Sequence, residues 1–506
     1  MIKNKIVSLS KLAEICRNLK PKKKIVHCHG VFDLIHIGHI NHFIAAKSYG
    51  DILIVTITPD KFVNKGNNRP AFNQQLRCEA LAALEVIDYV SINEWPDAVN
   101  TIKKLKPNFY CKGSDYENPN QDLTGKIIAE KKALYSVGGI LKITQDQMFS
   151  SSTLINRYIN VQQEEQREFI KKILQVSNFE KIKKNVEKFC SLKVLVIGEV
   201  IIDKYIFCEV LGKSGKESVL NFRKIKTEKY LGGSLAIARH LSSFCKDIKL
   251  LSFIGQKKEE LKFIKSKIEK NIKLELIQKK NSQTIVKTRF IDNIDNRKLI
   301  GVYTVDDQSI SLKEEKIFEQ KILKNLKSCD LAIISDYGHG IFTEKITKLL
   351  SKQNIFKSLN AQLNSTNLGL HTIRKYKKID NLIINASELR HEMRDREGNL
   401  DIIGQKLKKY MFAKNLAITR GRAGALLINK NKRIVNCPAF NMSALDKIGA
   451  GDAMFAILSL CIFSKLDDRQ SLLLASIAAA QSVSIMGNSY PIKKNLLLKN
   501  LFHLLK

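Results

Sequence analysis

The sequence predicts an α/β protein built as two doubly wound domains, and three observations carry that prediction. At 506 residues the chain exceeds one ordinary domain and suits two or three, each able to bury a full core. Two segments, "KKKIVHCHGVFD" and "SLKVLVIGEVIID", begin alike, with a basic flank, a short β-branched run, then a Gly and an acidic residue. Each reads as the first buried strand of an α/β unit, and alternating strand and helix patterns follow both. Between them "NVQQEEQREFIKKILQVSNFEKIKKNVEKFC", residues 160–190, is free of Gly and Pro, charged and of helical period. The expected division is a domain over 1–160, a helical linker over 161–190 and a second domain over 191–506.

A hydrophobic share of 44% and a charged share of 26% are ordinary for a globular chain. The net charge of +36, from 85 Lys and Arg against 49 Asp and Glu, attracts polyanions. The lysines are nonetheless spread in phase with Ile and Asn, as in "FIKSKIEKNIKLELIQKKNS", and read as solvated helix faces. A nucleic-acid-binding protein would rest on net charge alone and predicts strongly salt-dependent binding. Nucleotides and sugar phosphates are anions that profit from the same field. The ten cysteines form no C-x-x-C pair and read as reduced thiols of a cytoplasmic protein. No apolar run reaches the roughly 18 residues that span a bilayer, and the N-terminus lacks a signal-peptide pattern. Small-molecule partners in the cytoplasm are expected, with no nucleic acid and no membrane.

In the first domain "HCHGVFDLIHIGHINHF", residues 27–43, holds five of the ten histidines. After a strand at 24–28 the turn leads into a helix beginning near Gly38. His36 and His39 then stand at that helix's N-terminus, where free N–H groups and the dipole favour phosphate. Gly38 lets the backbone approach a nucleotide. Spacing alone leaves His27, His29 and His42 open as zinc ligands, pocket residues or core histidines.

"HGVFDLIHIGHINHFIAAKSYGD" resembles the H-x-G-H nucleotidylyltransferases, which include glycerol-phosphate cytidylyltransferase and the heptose-phosphate adenylyltransferases. Three further motifs follow in the family's order. "TPDKFVNKGNNRPAFNQQLR" resembles its Lys-bearing loop, with Lys65, Arg69 and Arg77 as candidate phosphate contacts. "KGSDY" resembles its basic-Gly-x-Asp turn, carrying Lys112, Gly113 and Asp115. "FSSSTLIN" resembles its late Ser/Thr motif, in which Ser151, Ser152 and Thr153 open a helix and hold the β- and γ-phosphates. The resemblance implies a Rossmann-like fold, nucleotide contacts at Gly30, Phe32 and Gly38, and acceptor contacts at Asp33 and Arg77. It implies His36 and His39 as catalytic groups, with His27, His29 and His42 supporting the pocket. A sugar phosphate attacks the α-phosphorus of ATP or CTP and pyrophosphate leaves, by positioning and charge neutralisation with Mg²⁺. Class I aminoacyl-tRNA synthetases also carry "HIGH", but their K-M-S-K-S loop has no counterpart in this chain.

In the second domain "SALDKIGAGDAMFAIL", residues 443–458, sets a Gly-Ala-Gly turn before an apolar helix. The N–H groups of Ala450, Gly451 and Asp452 make an anion hole there, and Asp452 can take a proton from an attacking hydroxyl. Taken alone, the motif also fits a plain Gly-rich loop before a helix. The segment resembles the D-T-x-G-A-G-D signature of ribokinase-like sugar kinases, departing from it at Lys447. The resemblance implies an α/β/α domain with a small β-lid, ATP at Gly449, Ala450 and Gly451, and Asp452 as base. "INASELR" supplies Asn385 and Glu388 of the N-x-x-E arrangement, which organises Mg²⁺ through water. "ITRGRAG" supplies Thr419, Gly421 and Gly424 of the nucleotide turn, and "AIISDYGHG" matches the strand and loop after the lid in the heptose kinases. "VIGEVIIDKY" offers Asp203, and "YLGGSLAIARHL" offers Gly232 and Gly233, for the sugar. The lid is expected from residues 205–230 and 283–306, and with it a homo-oligomer, a dimer.

Two departures bear on the substrate. Ala236 stands where the family usually has an Asn that holds a sugar hydroxyl. "SLNAQLNSTN", residues 358–367, lacks the usual Asp-Pro-type turn, and its amides Asn360, Gln362 and Asn364 read equally as ligand contacts or as a polar strand-end loop. The fusion as a whole resembles the bifunctional heptose kinase/adenylyltransferases of lipopolysaccharide precursor synthesis, with the domain order reversed. It implies a two-activity enzyme making a nucleotide-activated sugar for a surface polysaccharide. One alternative keeps one domain for regulation or dimerisation; another is a polyol-phosphate cytidylyltransferase fused to an unrelated kinase.

Overall fold

The computed structural model describes residues 2–63, 70–113, 126–144, 164–363, 367–440 and 445–505. Lys65, Arg69, Asp115, Ser151, Ser152, Thr153 and Asn364 lie outside these described residues. The chain divides into two compact units, Met1–Gln163 with Leu498–Lys506, and Glu164–Leu497.

Unit 1 is a parallel sheet of β1 (Ile25–Gly30), β2 (Ile52–Ile57), β3 (Tyr89–Ile92), β4 (Phe109–Gly113) and β5 (Ile140–Thr144). Their order is β3-β2-β1-β4-β5. A parallel sheet is covered on both faces, so its strands read as continuous apolar runs, and β2, "ILIVTI", is buried along its whole length. The expected strand at 24–28 is β1, and the helix expected near Gly38 runs Ile37–Lys47. The order reverses between β1 and β4, and the crevice beyond the carboxyl ends at such a switch point is where open α/β sheets take ligands.

Unit 2 opens with helices Glu164–Leu174 and Phe179–Glu187, each with an apolar face, and then forms two sheets. The larger contains β6 (Lys193–Gly198), β9 (Asp247–Ile254), β10 (Ile272–Gln278), β13 (Leu331–Asp336), β14 (Phe356–Ala361), β15 (Asn381–Asn385), β16 (Asn415–Thr419), β17 (Ala425–Ile428) and β18 (Ile434–Cys437). Its order is β10-β9-β6-β13-β14-β15-β16-β17-β18, parallel as far as β16 and antiparallel for the last two pairings. The smaller sheet is the expected lid: β7 (Val200–Lys213), β8 (Leu220–Gly233), β11 (Ile285–Asp292) and β12 (Lys298–Thr304), in the order β12-β11-β7-β8. Only Glu199 separates β6 from β7, so the lid is a direct outgrowth of the main sheet's centre.

The helix Ala450–Phe463 is apolar around its whole circumference and buried from Asp452 to Cys461. A helix of that kind belongs inside a layer rather than on its surface, and this sets the direction in which its N-terminus points. A core of unit 2 includes Leu195, Ile334, Leu359, Leu382 and Ile418 from five neighbouring strands, with Phe318 wedged 5.0 Å from the Phe253 ring. Phe318 is wholly buried. Phe318→Ala should lower the unfolding free energy by about 3–5 kcal/mol, measured by urea denaturation.

Candidate functional site

A cavity of about 800 Å³ lies at the carboxyl ends of the parallel strands of unit 2. From the lid it receives Asp203, Gly233, Lys287 and Arg289; from the ends of β14, β15 and β16 it receives Asn360, Gln362, Asn385, Glu388, Thr419 and Gly421. Gly449, Gly451 and Asp452 close it. Most of the second domain's sequence-expected residues thus meet in one space.

Asp452 is the third residue of helix Ala450–Phe463, within the first turn whose N–H groups have no partner inside the helix. Gly449 precedes it with φ +87, and a Cβ there would come within 2.0 Å of Asn488 Oδ1, so conformation and space both require glycine. A Cβ on Gly451 would meet nothing within 4 Å, which leaves the turn open to an incoming phosphate. The Tyr337 hydroxyl donates to Asp452 Oδ1 at 2.9 Å. Burial pushes the Asp452 carboxyl up to about 7; the Tyr337 hydrogen bond opposes this, the Asp203 charge adds to it, and the Lys287 charge opposes it. A carboxyl poised near neutrality beside an anion-binding turn is suited to accepting a proton during attack on phosphorus.

Asp203 is buried on β7 and ion-pairs with Arg289 of β11. A Cβ on Gly232 would stand 2.2 Å from Asp203 Oδ2, so this glycine makes room for the carboxylate. Gly233 turns with φ +59 into helix Ser234–Leu241. Ala236 is wholly buried in that helix and offers the cavity no polar group. The amides divide: Asn360 donates its Nδ2 to Ile383 O at 3.0 Å, while the Gln362 backbone N–H donates to Asp336 O.

At the far end, Asn385 and Glu388 form a capping box on helix Ala386–Met393. Asn385 Oδ1 accepts from Glu388 N at 2.8 Å, and Glu388 Oε2 accepts from Asn385 N at 3.0 Å. Leu363 N donates to Glu388 Oε1. Burial pushes Glu388 up to about 7 against those two backbone donors. With one N–H on each oxygen, the carboxylate keeps lone pairs facing the cavity, a donor set that fits a hydrated divalent cation held through its waters. Gly421 (φ +59) and Gly424 (φ +81) shape the turn after β16, and Gly424 lies so close to Cys437 O that a Cβ would sit 2.0 Å from it.

Sequence reasoning missed five groups in this space: Tyr337, Lys287, Arg289, Arg390 and Arg420. Burial lowers the Lys287 ammonium from its ordinary value, and its Nζ stands 5.7 Å from the Tyr337 ring centre. The alternation of β11, "IVKTRFID", carried a signal, because Lys287 and Arg289 fall two apart on one face. Behind Tyr337, Glu199 accepts from the backbone N–H of Tyr337 at 2.9 Å and of His339 at 3.2 Å. Burial and the neighbouring Asp336 push Glu199 up to about 8. Burial opposes ionisation of Asp336 too, yet the charges of Lys375 and His371 hold that carboxyl below its ordinary value.

In unit 1, His36 is the N-cap residue of helix Ile37–Lys47, and its ring lies 3.9 Å from that of His39. Phe32, at φ +47, packs edge-on against His39 at 5.3 Å and roofs Gly30, where a Cβ would come within 2.9 Å of the ring. Gly38 lies in the first turn of the helix. Asp33 is buried and accepts from Phe72 N. Two threonines hold the strand histidines: Thr56 Oγ1 lies 2.7 Å from His27 Nε2 and 2.8 Å from His29 Nδ1, and Thr58 Oγ1 lies 3.3 Å from His29 Nε2. His42 Nδ1 lies 2.7 Å from Thr144 Oγ1. Among the described residues no group of three or more His, Cys, Asp or Glu is arranged to hold a metal ion.

Two basic residues expected at phosphates are held inside the unit. Lys112, at the end of β4, is buried and ion-pairs with Glu130 at 3.2 Å while donating to His29 O. Arg77 corrects the expectation outright. Its side chain is wholly buried, and its guanidinium donates to Phe72 O (3.0 Å), Thr58 O (2.9 Å), Val31 O and Asp60 Oδ1. It ties three loop segments together and presents no face to a ligand.

Residues 191–495 match the family described as pfkB family carbohydrate kinase, and residues 27–158 match the cytidylyltransferase-like family. The chain is 30% identical to the bifunctional protein HldE of Campylobacter jejuni (strain RM1221) over 301 residues, which are 58% of this chain and 62% of that protein. It is 42% identical to the bifunctional protein HldE of Aliarcobacter butzleri (strain RM4018) over 128 residues, 25% of this chain and 26% of that one. The match to the C. jejuni relative therefore spans less than two thirds of that relative's length. Phosphofructokinase-2 from Escherichia coli superposes with a TM-score of 0.51 at 14% identity, covering 62% of this chain and 99% of that one, a likeness of fold.

Arg77→Lys should leave at least one of the guanidinium's four acceptors without a donor and cost about 1–3 kcal/mol of stability, read as a drop in Tm of the full chain.

Proposed function

The chain belongs to the pfkB family of carbohydrate kinases, and from that premise we propose a two-activity enzyme of nucleotide-activated sugar synthesis. Residues 191–506 transfer the γ-phosphoryl group of ATP to a hydroxyl of a heptose-like sugar or sugar phosphate. Residues 1–160 transfer a nucleotidyl group from ATP or CTP to a sugar phosphate, releasing pyrophosphate; of the expected linker 161–190, the residues from Glu164 onward belong to unit 2. The observation that carries the kinase reading is the Asp452 carboxyl, buried and poised near neutrality at a helix N-terminus that closes an 800 Å³ cavity.

In the kinase reaction the acceptor lies against Asp203 and Gly233, and Asp452 takes the proton from its hydroxyl as the oxygen attacks the γ-phosphorus. The N–H groups of Gly451 and Asp452 receive the charge that develops on the transferred group, and ADP leaves toward Thr419 and Gly421. Asn385 and Glu388 would hold Mg²⁺ through its waters, where it neutralises phosphate charge. In the nucleotidyl transfer no enzymic nucleophile is needed. His36 and His39 donate to the α-phosphate as its charge rises, and Lys112 stands at the neighbouring strand end. The fusion would place two successive steps on one cytoplasmic chain serving surface polysaccharide. A second copy of the chain is the partner proposed for the lid's exposed apolar side chains Val210, Leu211, Leu220 and Ile225. Ala236 favours one second reading, in which a polyol-phosphate cytidylyltransferase carries a kinase domain kept for regulation or for an unrelated substrate.

Mass spectrometry of products formed from ATP, CTP and Mg²⁺ with free sugars, heptose 7-phosphate and polyol phosphates separates these readings. Asp452→Asn should abolish sugar phosphorylation and leave nucleotidyl transfer to a supplied sugar 1-phosphate intact; His36→Ala should do the reverse. Nucleotide-sugar formation that survives Asp452→Asn from every starting compound would sink the kinase half. Because the base must be ionised, kinase kcat/KM should fall about tenfold per pH unit below about 7. Tyr337→Phe removes a bond that favours the ionised form, so that midpoint should move to higher pH.

A further inference from the structure

We infer that Asp446 is a positioning residue that fastens the acceptor lid to the anion-binding turn, so that the transfer site keeps its shape only while the lid strands hold that carboxylate. The inference rests on the kinase reading of unit 2 and concerns a group outside the wall of the cavity.

The Asp446 carboxylate is buried and receives four donors from four places in the fold. Oδ2 accepts from the Tyr205 hydroxyl of β7 at 2.7 Å and from the backbone N–H of Gly487 at 3.0 Å. Oδ1 accepts from the Lys298 ammonium of β12 and from the backbone N–H of Ile448 at 3.1 Å. A carboxylate offers about four acceptor positions, so this one is fully used. Two donors belong to the lid, one to the turn running into Gly449–Asp452, and one to the loop whose Asn488 packs against Gly449.

Packing repeats the same connection without charge. Tyr205, Phe207, Tyr230 and Ile291, from β7, β8 and β11, form an apolar cluster onto which Ile448 and Met486 close. The Tyr205 and Tyr230 rings meet edge to face at 5.0 Å. Gly487, at φ +56, sits so close that a Cβ would stand 2.6 Å from the Tyr230 ring. All four lid strands therefore reach the turn or its neighbour. Asp203 lies two residues before Tyr205 on the same strand face, so the acceptor contact and the fastening share one rigid element.

Lys298 makes the device testable. Every residue of β12 is exposed or partly exposed, and this lysine alone of the strand reaches the buried carboxylate. Removing its charge leaves Asp446 with three donors and no cavity-lining atom changed.

The test uses the full chain with Mg·ATP, then with heptose 7-phosphate as acceptor. In Lys298→Met, amide hydrogen exchange at residues 448–452 should accelerate at least tenfold along with β7 and β12, and Lys298→Arg should restore it. With acceptor present, Lys298→Met should lower kcat at least tenfold and leave the KM for ATP within twofold. Added to Asp446→Asn it should cause no further loss, since both remove one connection. Faster exchange confined to β12, a change in Tm with kcat intact, or additive effects of the two variants would overturn the inference. If the wild type phosphorylates no acceptor, the kinase reading fails on its own, and the exchange result still decides whether lid and turn are joined.

Discussion

A parallel β-ladder that is covered on both faces can place polar chemistry only where its strands stop. Both candidate sites of this chain follow from that constraint. Two strands of the larger sheet run through apolar residues and then end on a polar one that lines the cavity: "NLIIN" on Asn385 and "NLAIT" on Thr419. The strand interiors make the core, and the last residues meet in one crevice. In unit 1, β1 bends the rule by carrying His27 and His29 inside the ladder, and the structure answers with Thr56 and Thr58 set opposite their ring nitrogens.

The crevice concentrates acids in a setting that disfavours their ionised forms. Glu199, Glu388 and Asp452 are all pushed up by burial, yet each meets a different counterweight. Glu199 holds two loop amides, Glu388 caps a helix, and Asp452 has a tyrosine hydroxyl and an open helix end. Only the last stands in the Gly-Ala-Gly turn, where a Cβ on Gly451 would meet nothing within 4 Å. Burial thus acts on all three carboxyls, while their partners differ: loop amides, a helix cap and a tyrosine hydroxyl.

The local signals were legible in the sequence because they depend on neighbours along the chain. The Gly-Ala-Gly turn, the apolar helix after it, the Asn385–Glu388 spacing and the His36–His39 pair all describe a single turn of backbone. The two lid segments were legible as well, since each is one long strand or hairpin. What escaped was set by pairing across the sheet. Lys287 enters the cavity because β11 lies beside β7 in a parallel register that puts Lys287 opposite Asp203. Tyr337 matters because a helix more than a hundred residues later begins beside it. Arg77 misled for the converse reason: its basic character suggested phosphate, while the carbonyls of Val31, Thr58 and Phe72 that consume it converge only in three dimensions.

The single residue between β6 and β7 makes the lid a lever with a very short pivot. At about 3.3 Å per residue, the fourteen residues of β7 form an arm about 46 Å long. A rotation of about ten degrees at Glu199 sweeps the outer tip through about 8 Å but carries Asp203 through only about 2 Å. Even that smaller displacement exceeds what a hydrogen bond tolerates, so the Tyr205–Asp446 bond two residues beyond Asp203 is what limits the swing near the pivot. The pivot itself is anchored by the carboxyl that grips the Tyr337 and His339 amides, so the fulcrum and the hydroxyl partner of Asp452 are one mechanical piece.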